Sequence, residues 1–211
     1  MKPHVADPAE WRLRTRSMRL PRSDELPLLM GIVNTTPDSF SDGGLWTQIE
    51  TAVAHGLSLI EAGADILDIG GESTRPFSDP VDSAEEWRRV GEVVRILSHE
   101  SDCPISIDTS KAFVAKGALE NGAEIINDVT GLEGDPAMIQ IASETGAGIC
   151  AMHMQGTPKT MQINPAYESV VAEVYTYLEE RKNTFAAAGI APERVCLDPG
   201  IGFGETHVHN I

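Results

Sequence analysis

The sequence predicts an α/β protein: a (β/α)8 TIM barrel that is incomplete in this chain, with about six βα units present. Strand-length apolar runs alternate with segments of helical periodicity, with no linker between them, and this alternation is typical of a parallel sheet. Polar side chains follow each run. Polar groups delivered by every strand favour a barrel, because a doubly wound sheet concentrates its site at one switch point.

Length and composition agree with one globular domain. The chain has 211 residues, of which 41% are hydrophobic, and this is enough for one sizeable core. A complete barrel needs eight strands and typically about 250 residues. We therefore expect an N-terminal extension, residues 1–27, and a barrel domain, residues 28–211, that lacks the last two βα units.

The charge of the chain is unevenly distributed. Residues 1–22 hold six of the 16 Lys and Arg residues, yet the formal net charge of the chain is −16. A body this acidic disfavours nucleic acid and anionic membranes as partners. The basic N-terminus lacks the apolar segment of a signal peptide, and we expect it to be a solvated extension.

The three cysteines, Cys103, Cys150 and Cys196, each lie within or beside a strand-like run. Their odd number and apolar neighbours indicate buried, reduced thiols in a cytoplasmic protein rather than a disulfide framework. A nucleophilic cysteine is the alternative, but the role of a small core side chain is favoured.

The individual elements follow from the spacing of apolar residues. The strand-like runs are residues 28–33, ADILDIG, PISID, AEIIND, AGICAMHM and RVCLDPG. The helical segments are residues 46–61, a helix that begins near Ser83, SKAFVAKGALENG, DPAMIQIASETG and residues 167–188. Ser83 and Glu86 have the spacing of a capping box, which predicts the start of the second helix.

Two long polar loops follow the first two strands. In the first, residues 34–44, Phe40 is the only large apolar residue before Gly43 and Gly44. This composition predicts a lid over a site, with Phe40 as its anchor and the two glycines as its hinge. The second loop is GGESTRPFSDPV.

Six strings, in order, resemble the dihydropteroate synthase family: MGIVNTTPDSFSDGG, DIGGESTRP, SIDTSK, INDVTG, AMHMQGTP and LDPGIGFG. The resemblance covers residues 28–211. It implies a cytoplasmic transferase of folate biosynthesis, the target of sulfonamides. Such an enzyme joins 6-hydroxymethyl-7,8-dihydropterin pyrophosphate to p-aminobenzoate and releases pyrophosphate.

Asp108, Asn127 and Asp198 match the positions with which the family holds the pterin, and we predict that they are the catalytic residues. Carboxylates and an amide suit a pterin edge, which presents a ring N–H and an amino group as donors beside acceptors. Taken singly, each residue could instead be a helix cap or a turn residue. Asp108, which precedes Thr109 and Ser110, is the most cap-like of the three.

The resemblance also assigns the remaining contacts. Asn34 would help to hold a Mg²⁺ that binds pyrophosphate, since an amide oxygen is a hard ligand; a turn residue is the alternative reading. His153 is expected to be structural, because a neutral aniline that attacks a cation hardly needs a base. The residues expected to contact the pterin or p-aminobenzoate are Met152, Thr74, Arg75, Phe40 and Phe203.

The chain also departs from the family pattern. Phe77 and Glu205 stand where the family commonly has Gly and Lys. The family's last two strands, with a Ser-Arg-Lys string and an Arg-x-His pair, would follow Ile211. We therefore expect a truncated product or fragment that is inactive alone. The alternatives are a remnant that at most binds pterin and a pterin-dependent methyltransferase; a homodimer is possible in the full-length form.

Overall fold

The computed structural model describes residues 9–36, 45–74, 78–163 and 165–205. The strands in these ranges are β1 (Glu10–Arg12), β2 (Ser17–Arg19), β3 (Met30–Asn34), β4 (Ile66–Gly70), β5 (Ile105–Asp108), β6 (Ile125–Asp128), β7 (Gly148–Met152) and β8 (Val195–Asp198). The helices are α1 (Leu45–Glu61), α2 (Ser83–Glu100), α3 (Ala112–Glu120), α4 (Met138–Thr145) and α5 (Val170–Ala187), and a 3₁₀ turn spans Pro192–Arg194. None of the helices in the described ranges is both long and apolar enough to span a bilayer.

Strands β3 to β8 form a six-stranded sheet in chain order, and each strand runs parallel to the next. One helix lies between each pair of consecutive strands. A doubly wound sheet reverses its strand order at a switch point, whereas the order of the described strands never reverses. The predicted α/β class, with six units of a barrel, is therefore confirmed.

The two faces of the sheet have different partners. Successive side chains of a strand point to opposite faces. On the outer face Leu67, Ile69, Ile107, Ile126 and Ile149 are completely buried in one core with the helices. The opposite, inner face carries polar side chains toward the carboxyl ends of the strands, and these provide the candidate site.

Helix α2 is capped by a different residue from the one predicted. Asp82 Oδ1 accepts the N–H groups of Ala84 (3.0 Å) and Glu85 (2.9 Å). The capping box of Ser83 and Glu86 was wrong, because Asp82 has the extended backbone of a cap and Ser83 already lies in the first turn. Glu86 is thus available for another contact, described below.

The N-terminal segment is packed rather than solvated. Strands β1 and β2 form an antiparallel hairpin. Trp11 and Leu13 are buried against Ile66 and Ile125, which lie at the amino ends of their strands on the inner face. Trp11 Nε1 also donates to the carbonyl of Arg194 (3.0 Å). The expectation of a solvated extension was wrong for these residues, because their apolar side chains cover the inner face of the sheet at the amino ends of the strands.

The cysteines agree only in part with the prediction of buried thiols. All three are free, and Cys150 is buried, but Cys103 is half-buried and Cys196 is exposed. Cys196 is the register partner of Cys150 on β8, and β8 is the last strand of the described sheet. The prediction of burial was wrong for Cys196 because apolar neighbours in sequence do not show whether a further element covers the strand.

Leu13→Ala is expected to lower the free energy of unfolding by about 2–5 kcal/mol, because it removes buried methyl groups and leaves a cavity. Leu26→Ala is the matched control, since Leu13 is 2% exposed and Leu26 is 89% exposed. The control change is expected to stay within about 0.5 kcal/mol. Urea unfolding followed by circular dichroism measures both; equal effects would show that the hairpin does not pack.

Candidate functional site

The carboxyl ends of the parallel strands bring the predicted residues to one rim. Asn34, Gly70, Asp108 and Asn127 are successive register partners across β3 to β6. A Cβ atom on Gly70 would lie 3.4 Å from Asp108 Oδ2 and 3.5 Å from Asn34 Oδ1. The absence of a side chain at Gly70 therefore keeps the space between these two polar groups open.

Asp108 is not the cap of helix α3, because Lys111 occupies the N-cap position. The first N–H of α3, that of Ala112, donates to Asp135 Oδ2 (3.0 Å). Burial raises the pKa of Asp108 well above its ordinary value, and the charges of Asp68, Asp128, Glu86 and Glu72 raise it further. The Asp108 carboxyl group can thus accept hydrogen bonds from the donor groups of a ligand. Such bonds offset the cost of burying its charge.

Asp68, on the inner face of β4, was missed by the sequence analysis. Its side chain is 5% exposed, and its Oδ2 accepts the Asn127 Nδ2 donor at 2.9 Å. Burial raises the pKa of Asp68, and the hydrogen bonds from Ser106 and Asn127 oppose this rise. The signal was an acidic residue at the centre of the otherwise apolar segment ILDIG. The contact directs the donor end of the Asn127 amide toward Asp68 and leaves the acceptor end for other partners.

Asp198 and Met152 form a second pair on neighbouring strands, as register partners of β8 and β7. Asp198 Oδ1 accepts the N–H of Gly200 (2.8 Å), and its carbonyl accepts the N–H of His153 (3.0 Å). Met152 is buried. These contacts fix the start of the loop after β8 against the end of β7.

The turn after β8 explains the departure at Glu205. Gly200 has a φ of +73°, and a Cβ there would lie 1.9 Å from the carbonyl oxygen of His153, so only glycine fits. The N–H of half-buried Phe203 donates to the Gly200 carbonyl (2.8 Å). Glu205 is buried and its Oε2 accepts the N–H of Gly202 (3.1 Å). The Glu205 carboxylate therefore stabilises the turn after β8.

His153 lies beneath this turn as a buried aromatic residue. Its ring packs edge-on against that of Tyr177, with 5.1 Å between the ring centroids. Burial lowers the pKa of His153, opposed by the charge of Glu205. The imidazole is therefore neutral at physiological pH, a state that suits packing.

A small cavity joins Asp108 to the second loop. Its volume is about 80 Å³, and its lining includes Asp108, Thr74, Glu72, Glu86 and Thr130. The Lys111 ammonium binds the carboxylates of both Glu72 and Glu86. A wider, open depression of about 540 Å³ at the start of α5 is lined by none of the strand-end residues; its lining is residues 166–169, Ala172 and Glu173.

The metal prediction is tested by the donors at the rim. Asn34 is exposed at the end of β3, so its amide oxygen can accept a hard cation without losing a buried contact. Among the residues that the structure describes, no cluster of three or more His, Cys, Asp or Glu side chains could hold a metal ion. This donor set fits a Mg²⁺ ion held mainly by water and phosphate oxygens.

Several predicted positions lie outside the described residues. They are Phe40, Gly43, Gly44, Arg75 and Phe77. Of the sequence-predicted site residues, the structure thus brings Asn34, Asp108 and Asn127 into one row, with Thr74 on a cavity beside Asp108.

Comparisons with known proteins agree with this geometry. The chain is 52% identical over 187 residues to dihydropteroate synthase of Neisseria meningitidis serogroup C, an alignment that covers 88% of this chain and 66% of that protein. It thus spans just under two thirds of the length of this curated relative.

Solved structures give the same result. Dihydropteroate synthase from Xanthomonas albilineans with 4-aminobenzoic acid superposes with a TM-score of 0.86 at 45% identity, over 96% of this chain and 71% of that one. The same enzyme in complex with 7,8-dihydropteroate superposes with a TM-score of 0.81 at 43% identity, over 94% and 69%. The model of the pterin binding enzyme family matches residues 30–211. The chain therefore belongs to the pterin-binding enzyme family, in its dihydropteroate synthase group.

Proposed function

We propose that the whole protein to which this chain belongs is a dihydropteroate synthase. It would condense 6-hydroxymethyl-7,8-dihydropterin pyrophosphate with p-aminobenzoate to give 7,8-dihydropteroate and pyrophosphate. The observation that carries the proposal is the row of Asp108 and Asn127 at neighbouring strand ends, with Asp68 buried behind Asn127. The Xanthomonas structures with 4-aminobenzoic acid, a substrate of this reaction, and with 7,8-dihydropteroate, its product, support the proposal.

The pterin edge would meet acceptors from three strands. The ring N–H and the exocyclic amino group are donors, and Asp108 and Asp198 supply carboxylate oxygens for them. Because Asn127 Nδ2 is bound to Asp68 (2.9 Å), Asn127 would offer its oxygen to a further donor. Met152, buried beside Asp198, would pack on the ring face.

The same groups suit the reaction. The C–O bond between the pterin methylene and pyrophosphate breaks, and both bonding electrons leave with pyrophosphate. Positive charge then develops on the methylene, and fixed carboxylates near the ring stabilise it. The amine of p-aminobenzoate attacks this carbon and afterwards loses one proton. A neutral, buried His153 is consistent with a step that needs no strong base.

The leaving group would be held at the opposite side of the row. Asn34 is the residue here that would contact a Mg²⁺ ion. When bound, such an ion would neutralise the charge that builds on pyrophosphate. Thr74, Arg75, Phe40 and Phe203 are proposed contacts of p-aminobenzoate, and among them Thr74 and Phe203 are half-buried.

Two broader predictions belong to the same proposal. Free cysteines are consistent with a cytoplasmic location, which we infer for the whole protein. A homodimer of the full-length form, which the family resemblance implies, stays a prediction.

The whole protein, incubated with the dihydropterin pyrophosphate, p-aminobenzoate and Mg²⁺, is expected to form dihydropteroate and pyrophosphate in equal amounts. Chromatography with mass detection follows the first product, and a coupled pyrophosphate assay follows the second. Omission of p-aminobenzoate is the control. The proposal fails if no dihydropteroate forms while a folate methyl group is transferred instead.

Asp108→Asn is expected to weaken the binding of 6-hydroxymethylpterin by about 10- to 150-fold, the usual effect of losing a charged hydrogen bond. The neutral amide replaces a carboxyl group whose charge is disfavoured by burial, so the fold should be retained. Titration calorimetry gives the affinity. Asp79→Asn, at an 87% exposed side chain whose ion pair with Lys159 (3.0 Å) lies at the surface, should leave the affinity unchanged; equal losses in both variants would contradict the assignment.

Pterin affinity is also expected to depend on pH. The pKa of Asp108 lies well above the ordinary 3.8, and the ionised form is the one that accepts two donors. Affinity should therefore fall as pH decreases through this raised pKa, by about tenfold per pH unit. Asp108→Asn should give a weaker but flatter profile. A wild-type affinity that stays constant from neutral pH to pH near 4 would contradict this expectation.

A further inference from the structure

We propose that Lys111 is a positioning residue that fixes residues 71–74 of the second loop relative to Asp108 by clamping Glu72 and Glu86. This inference rests on the proposed pterin site for its functional consequence. The three side chains, called here the lysine clamp, connect the loop after β4, the first turns of α2 and the segment between β5 and α3.

The position of Lys111 is unfavourable for a helix and therefore calls for another explanation. Lys111 occupies the N-cap position of α3, and its side chain forms no cap. A cation at a helix N-terminus is opposed by the helix dipole, and acidic residues are usual there. The Asp135 carboxylate performs the capping contact to Ala112 instead (3.0 Å).

The clamp neutralises a carboxylate that has no access to water. Glu86 is completely buried, and within the described part of the chain its Oε1 has no hydrogen-bond partner. A buried ionised carboxylate without a counter-charge is strongly unfavourable. Burial disfavours the charged form of Lys111 as well, yet the hydrogen bonds that Lys111 donates to Glu72 and Glu86 hold its pKa above the ordinary value. The ammonium therefore stays charged between the two carboxylates.

The lysine clamp also determines the distance between Thr74 and Asp108. Glu72 precedes Thr74 by two residues, and Lys111 follows Asp108 by three residues. Glu72, Glu86, Thr74 and Asp108 all line the same cavity of about 80 Å³. Without the ammonium, three carboxylates would face one small space and repel one another. Glu72 would then move outward and carry Thr74 away from Asp108.

Lys111→Met in the 211-residue chain tests the clamp with two readouts. Amide hydrogen exchange at residues 71–74 is expected to become about tenfold faster or more, because Glu72 loses its contact with Lys111. The affinity for 6-hydroxymethylpterin, measured by calorimetry, is expected to fall by about tenfold or more, as for the loss of a charged hydrogen bond.

Two further variants separate positioning from general stability. Lys111→Arg keeps the charge and two-carboxylate contact, so it should restore exchange and affinity to within about threefold of wild type. Lys116→Met, on the same helix at a side chain that is 64% exposed and 4.0 Å from Glu120, is the control and should change neither. The clamp is refuted if Lys111→Met exchanges at residues 71–74 like wild type, or if Lys111→Arg fails as Lys111→Met does.

If Lys111→Met does not fold, Glu72→Gln tests the clamp instead. This change weakens the contact of residue 72 with Lys111, while Glu86 keeps its counter-charge. Faster exchange confined to residues 71–74 supports the clamp, and unchanged exchange refutes it. The exchange readout does not require pterin. A whole protein that binds no pterin would therefore refute the proposed function, while exchange in the 211-residue chain would still decide whether the clamp exists.

Discussion

Parallel pairing in chain order determines which side chains of this protein can meet. Since successive residues of a strand point to opposite faces, Leu67 and Ile69 pack beneath the helices while Asp68 points to the inner face. The same pairing aligns Asp108 with Asn127 at the rim. Core and candidate site therefore arise from one register, and a slip of one residue would move apolar side chains to the site and acidic side chains to the core.

The inner face contains more buried negative charge than folding alone would favour. Burial raises the pKa values of both Asp68 and Asp108 above their ordinary range. Ionised carboxylates in such places reduce stability unless partners compensate for the lost hydration. Asn127 provides part of this compensation within the protein, through its hydrogen bond to Asp68. A ligand rich in donors would provide more, which agrees with a site built for a pterin.

The sequence was sufficient for the order of strands and helices, because long apolar runs and helical spacing are local signals. It was also sufficient to locate Asp108 and Asn127, which end such runs. It was insufficient for the hairpin, whose strands have three residues each, and in which Trp11 and, just after β1, Leu13 stand among arginines. The roles of Asp68 and Lys111 depend on partners 59 and 25 to 39 residues away, and no local pattern reports such contacts.

The hydrogen bond between Trp11 and Arg194 joins residues 183 positions apart. During synthesis the hairpin leaves the ribosome long before the 3₁₀ turn that accepts it. Contacts of such long range form late, after the strands between them have paired. Trp11 therefore cannot make this hydrogen bond until the chain has been synthesised through Arg194. The amino end of the inner face is complete only once that turn has joined it.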